Sequence, residues 1–251
     1  MKFLRYEMTT AKAPLLLGVK AEVVFGTLLV ARNRAVRLAC VLALALGALS
    51  SVREAERLPG AHQPLAAFLI VGTLAAVAGS RLFAPGAALA SSRRVVTIWW
   101  AVPVGRLAGA LLVILPVAAV AVIAMELADP NPILLGLSMA TLAAAVASLS
   151  LSLAPTVGSS TACAMTLATI WAGAIPTTAV QALSEGSPAV RFAVLLLWHT
   201  LPLPWRANRL LELHAPLDAL VLLTWIAVGV LTIGWAASQP SLLHRKSREP
   251  A

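Results

Sequence analysis

From Pro130 to Ser184 this chain carries not one charged side chain. A helix needs about 20 apolar residues to cross bilayer hydrocarbon, so this interval has room for two crossings and a turn between them. The turn chemistry lies in residues 154–160, APTVGSS, where Pro155 and Gly158 interrupt helical pairing. The interval is not an isolated patch, because 60% of the 251 residues are hydrophobic and 12% are charged. That is about half the charge of an ordinary soluble domain. One soluble core cannot bury so much apolar side chain, whereas a bilayer solvates it. The sequence predicts an all-α integral membrane protein.

Uncharged runs place six spans in a six-span helical bundle, at 35–52, 64–83, 107–126, 133–153, 161–180 and 217–237, within one transmembrane domain covering 1–251. The first run is short, so Arg34 and Arg37 are expected to snorkel toward the headgroups. Pro116 removes a backbone donor inside the third span. Residues 1–33 do not read as a span. Lys12, Lys20, Glu22 and Arg32 interrupt them, while Leu15, Val19 and Val23 recur every four residues. That pattern predicts an N-terminal amphipathic helix on the cytoplasmic interface, with a solvated basic arm as the plainer alternative. The first apolar run, Ala13 to Val19, is too short for a cleaved signal.

Two further apolar segments fail the length test. Val95 to Gly105 lies between arginines and contains Trp99-Trp100. Phe192 to Trp205 is broken by Pro202 and Pro204 and at 1.5 Å per residue reaches about 21 Å, short of the ~30 Å hydrocarbon core. Residues 189–212 are therefore expected to form an outer re-entrant hairpin before span six, and residues 238–251 a cytoplasmic tail.

Basic residues orient the bundle. With the N-terminus inside, fourteen of the nineteen Lys and Arg residues fall on the cytoplasmic side. The five outside are Arg53, Arg57, Arg191, Arg206 and Arg209. An even number of spans returns the C-terminus to the same side, so both termini are expected in the cytoplasm of a bacterial inner membrane. The net charge of +9 reflects this asymmetry and does not require nucleic acid.

No catalytic set is present. The chain lacks GxxxxGK[ST], HExxH and GxSxG, so it has no phosphate loop of its own. Cys40 and Cys163 stand far apart in apolar surroundings, which excludes a disulfide framework and a CxxC metal site. Of the four histidines, His199 lies in the outer apolar hairpin, where an ionisable group is a candidate functional residue. Its alternative role is an interface histidine bonded near the headgroups. Helix packing is better marked. Gly136, Ala140, Ala144, Ser148 and Ser152 recur every four residues, and Gly105 and Gly109 form a small-xxx-small pair, both patterns that let helices approach closely in lipid.

The order of these parts resembles the permease subunit of type-2 ABC exporters over essentially the whole chain. The telling stretch is residues 91–112, SSRRVVTIWWAVPVGRLAGALL, in which Thr97 and Pro103-Val104-Gly105-Arg106 match the family's loop helix and its turn into span three. Arg94-Val95-Val96 stand where the family usually has an acidic residue and a glycine. The resemblance implies a translocation path between two permease subunits, identical or sister. A separate cytoplasmic ATP-binding subunit would carry ATP and Mg, leaving this chain without a cofactor. It further implies that Arg93, Arg94, Thr97, Trp99, Trp100, Pro103 and Arg106 form the ATPase-coupling loop, and that His199, Pro202 and Pro204 belong to a hairpin closing the outer end. Scarce intramembrane charge points to an apolar or amphipathic substrate. Two other classes stand beside this one: an assembly subunit of another membrane complex, and an intramembrane enzyme.

Overall fold

A computed structural model describes residues 19–54, 63–82, 100–123, 131–175, 188–211 and 215–238. Among them every regular element is an α-helix and there is no strand. Helix α1 covers 19–32, α2 Arg34–Glu54, α3 Gln63–Leu82, α4 Ala101–Ile123 and α5 Pro132–Val157. Helix α6 covers Ser159–Ala172, α7 Pro188–Thr200, α8 Pro204–Leu210 and α9 Pro216–Ser238. Among the described residues, three stretches are long and apolar enough to cross a membrane, Leu65–Leu82, Val102–Ile123 and Pro132–Val157. That is the mark of a membrane protein. The apolar part of α9 described side chain by side chain, Pro216–Thr232, is shorter, and so is α6 with 14 residues.

Helix α3 sits at the centre. Phe68, Val71, Leu74, Ala75, Ala76 and Ala78 are all fully buried, because α2, α4, α5, α6 and α8 all pack on it. Close helix approach is what holds such a bundle together, since lipid tails are as apolar as the side chains they would replace. Gly79 provides it against α5, where a β-carbon would lie 2.7 Å from Ala147 Cα. One turn away Ser150 Oγ donates to the Ala76 carbonyl at 3.0 Å, so a polar side chain at the helix crossing is satisfied within the bundle. Leucines and valines of α2, Leu38, Val41, Leu42 and Leu49 among them, are exposed on the outside, where hydrocarbon rather than water suits them.

Sequence chemistry explains the helix ends. Asn131 caps α5, its side chain accepting from the Ile133 and Leu134 amides, with Pro132 in the first turn. Pro155 lies in the last turn of α5, and the break falls at Gly158, whose φ of 84° favours a residue without a β-carbon. Between α1 and α2 only Asn33 departs from the helix. Its side chain accepts from the Ala35 amide at 3.0 Å and starts α2.

Candidate functional site

The start of α4 is where three elements meet on one side chain. Arg106 is buried at 3% exposure, and so is Glu22 at 7%. Arg106 Nε donates to Glu22 Oε2 at 3.0 Å, and Nη1 donates to the Leu82 carbonyl at 3.2 Å. The guanidinium also lies over the Phe25 ring, 5.1 Å from its centroid, a cation–π contact. Arg106 therefore ties α1, the last residue of α3 and the first turns of α4 into one junction. The carbonyl at the end of α3 is one that no intrahelical donor satisfies.

Small residues make this junction possible. A β-carbon on Gly26 would sit 2.7 Å from Arg106 Cα, and one on Gly105 would sit 2.6 Å from Glu22 Cβ. A β-carbon on Gly109 would run into the Val23 carbonyl oxygen and Thr27 amide nitrogen. Thr27 Oγ1 adds a bond to the Gly109 carbonyl at 3.3 Å. The Gly105-xxx-Gly109 pair thus receives α1 backbone to backbone. The helix expected to lie on the membrane surface is docked on α4 along this face.

A second polar cluster joins the consecutive helices α7 and α8 to α9. Arg206, on α8, donates to the carbonyls of Trp198 at 3.0 Å and Leu201 at 3.1 Å, closing the open C-terminal end of α7. Its Nη1 also bonds Asp218 in the first turn of α9, and the exposed Arg209 lies 3.5 Å from the same carboxylate. An acid suits a helix N-terminus and a cation a C-terminus, so both helix dipoles favour the pair. Burial pulls the Arg206 guanidinium below the usual arginine range, while the charge and hydrogen bond of Asp218 pull it back. Trp205 stacks on Trp198 with centroids 5.8 Å apart, and the Arg206 guanidinium lies 4.5 Å from the Trp205 centroid. Trp225 Nε1 on α9 donates to the Thr200 carbonyl. Pro202, Leu203 and Pro204 are buried, the last two against Gly173 just after α6.

The third feature is an apolar groove of about 610 Å³ on α3, walled by α2 from Ala35 to Leu46 and by Cys163 and Trp171 of α6. On α3 it runs from Ala66 to Arg81. Among the described residues, Arg81 is the single charged one in its wall, and both Arg81 Nε and Thr73 Oγ1 are buried there without a hydrogen-bond partner.

The residues singled out in the sequence divide among these places. Arg93, Arg94, Thr97 and Trp99 lie outside the described residues, while Trp100 is exposed just before α4. Pro103 and Arg106 are buried in the first turns of α4. In the stripe on α5, Gly136 is exposed with nothing within 4 Å of a β-carbon. Ala140 is half-buried, whereas Ala144 and Ser148 are buried. Ser148 abuts Gly229 of α9, and Ser152 is half-buried, its Oγ bonded to the Leu149 carbonyl. His199 is exposed at the end of α7, one residue from Thr200, whose carbonyl receives Trp225. Sequence reasoning missed Glu22, Arg206 and Asp218 as structural partners, and Arg81 as a groove residue. Each stands beside an apolar run, the position where a charge needs a partner or the interface, and that was the available signal. No cluster of three potential metal ligands occurs among the described residues. Compared with known protein families, curated proteins and solved structures, the chain finds no match.

Proposed function

We propose that this chain is the membrane-spanning permease subunit of an ATP-driven ABC exporter. In this reading it has six spans, a re-entrant outer hairpin and both termini in the cytoplasm. It pairs with a second copy or a sister permease to enclose a path for an apolar or amphipathic substrate. ATP and Mg belong to a separate cytoplasmic subunit, which docks on the segment ending at Arg106.

The observation that carries the reading is the Arg106 junction. A push on residues 91–106 arrives at a side chain bonded to Glu22 of α1 and to the Leu82 carbonyl of α3. The N-terminal helix and the ends of two central helices then move as one body. Rigid-body displacement of helices between two packings is an established way to open a path first to one side and then to the other. Nucleotide can drive it only if the ATPase binds one packing better than the other.

The test is affinity purification of the tagged full-length chain from its native membrane. The expected result is co-purification of a Walker-type ATPase at equal stoichiometry, with ATP hydrolysis that rises when the two are reconstituted together. Isolation of the chain with no nucleotide-hydrolysing partner, under conditions that retain its second permease copy, would count against the proposal.

A further inference from the structure

We propose that the groove on α3 binds one acyl chain of an anionic phospholipid from the surrounding bilayer, with the headgroup at Arg81. The inference does not depend on an ATPase partner.

The two ends of the groove differ in chemistry. Helix α2 runs in the same sense as α4, because Gly26 of the preceding helix meets Arg106 and Gly47 meets Ala121 farther along. Helix α3 reaches the start of α4 with its last residue and packs along α4, so it runs against both. Ala35 and Arg81 therefore lie toward one end of the groove, and Leu46 and Ala66 toward the other. The first end is basic. Arg81 lies in the wall, and Arg34 and Arg37 are exposed on the adjoining first turn of α2. Among the described residues no acid lines the groove.

The body of the groove matches a hydrocarbon tail. From Ala66 to Arg81 helix α3 rises about 22 Å at 1.5 Å per residue, longer than the ~15 Å of hydrocarbon in a single leaflet. A volume of about 610 Å³ is ample for one chain and within the range of ligand sites. The end of α3 accounts for a cation at Arg81 through the helix dipole, yet Nε is left buried and unpaired among the described residues. A buried donor of that kind calls for an acceptor. A lipid phosphate supplies one together with the opposite charge, as basic pockets between membrane helices commonly use it.

Native mass spectrometry of the purified full-length protein in detergent, titrated with phosphatidylglycerol or phosphatidylcholine, tests the assignment. The wild type should retain one phosphatidylglycerol at least fivefold more tightly than phosphatidylcholine, the scale of one basic side chain near a lipid surface. Arg81→Gln should erase that preference and Arg81→Lys should keep most of it. Ala39→Phe, which fills the groove without changing charge, should weaken retention of both lipids. Equal binding of the two lipids by the wild type overturns the proposal. So does an Arg81→Gln protein with an unchanged preference, or displacement of the lipid by inorganic phosphate alone. Disulfide cross-linking between two copies through Leu42→Cys, in a chain lacking Cys40 and Cys163, would assign the groove to a second copy instead.

Discussion

Arg106 Nε and Glu22 Oε2 meet at 3.0 Å across 84 residues of sequence, and both side chains are buried. Removing one member of such a pair leaves an uncompensated charge in a dry site, a loss of about 3–5 kcal/mol. Arg106→Met is therefore expected to lower thermal stability in detergent sharply. The double variant Glu22→Leu/Arg106→Met should recover much of the loss. A single variant as stable as wild type would show that the pair does not hold α1 in place.

Two glycines of the predicted packing motifs should respond in opposite ways. At Gly109 a methyl group meets the backbone of α1 at Val23 and Thr27, so Gly109→Ala should loosen α1 and speed proteolysis between residues 19 and 34. At Gly136 there is nothing within 4 Å, and alanine in a helix interior gains about 0.5–1 kcal/mol over glycine. Gly136→Ala should melt no lower than wild type. Equal sensitivity at the two sites would contradict the placement of α1 on α4.

Arg206→Lys should loosen the junction of α7, α8 and α9 although it preserves the charge. The planar guanidinium reaches two carbonyls of the α7 end and Asp218 at once, and one ammonium on a flexible stem cannot reproduce that fork. Hydrogen bonds to charged groups are worth about 1.5–3 kcal/mol, so a loss of about 2 kcal/mol is expected in unfolding measurements. Arg209→Lys, at an exposed position on the same helix, should be close to neutral. Indistinguishable Arg206→Lys and Arg209→Lys proteins would remove Arg206 from its clamping role.

The helical class and the membrane character were legible in the sequence because they depend on run length and charge alone. The break near Gly158 and the helix interruption at residues 201–203 were legible through backbone chemistry. The partner of Gly105 and Gly109 was not, because a small-residue motif advertises a close approach without naming the helix that makes it. The stripe from Gly136 to Ser152 shows the same limit, with its first glycine open and Ser148 against Gly229. Long-range ion pairs such as Glu22–Arg106 were hidden for a related reason. Charges at the edges of apolar runs read as boundaries, and their pairing depends on how the helices are arranged in space.

Topology can be mapped directly in intact cells. Cysteines placed at Glu56 and Gly186 should react with a membrane-impermeant thiol reagent from outside, and cysteines at Ser92 and Ser247 only after lysis. The expectation rests on the fourteen-to-five basic asymmetry. Labelling of Ser92→Cys from outside would overturn the proposed six-span arrangement.

The central claim is that a separate ATPase drives this chain through the segment ending at Arg106. Its most direct test is substrate-stimulated ATP hydrolysis by the reconstituted complex carrying Arg93→Glu and Arg94→Glu. The account predicts normal insertion and pairing of the permease, because these residues lie outside the proposed spans. It also predicts loss of stimulated hydrolysis and of transport, as the reversed charges misplace the ATPase. A double variant that hydrolyses and transports at the wild-type rate, with its ATPase still bound, would contradict it.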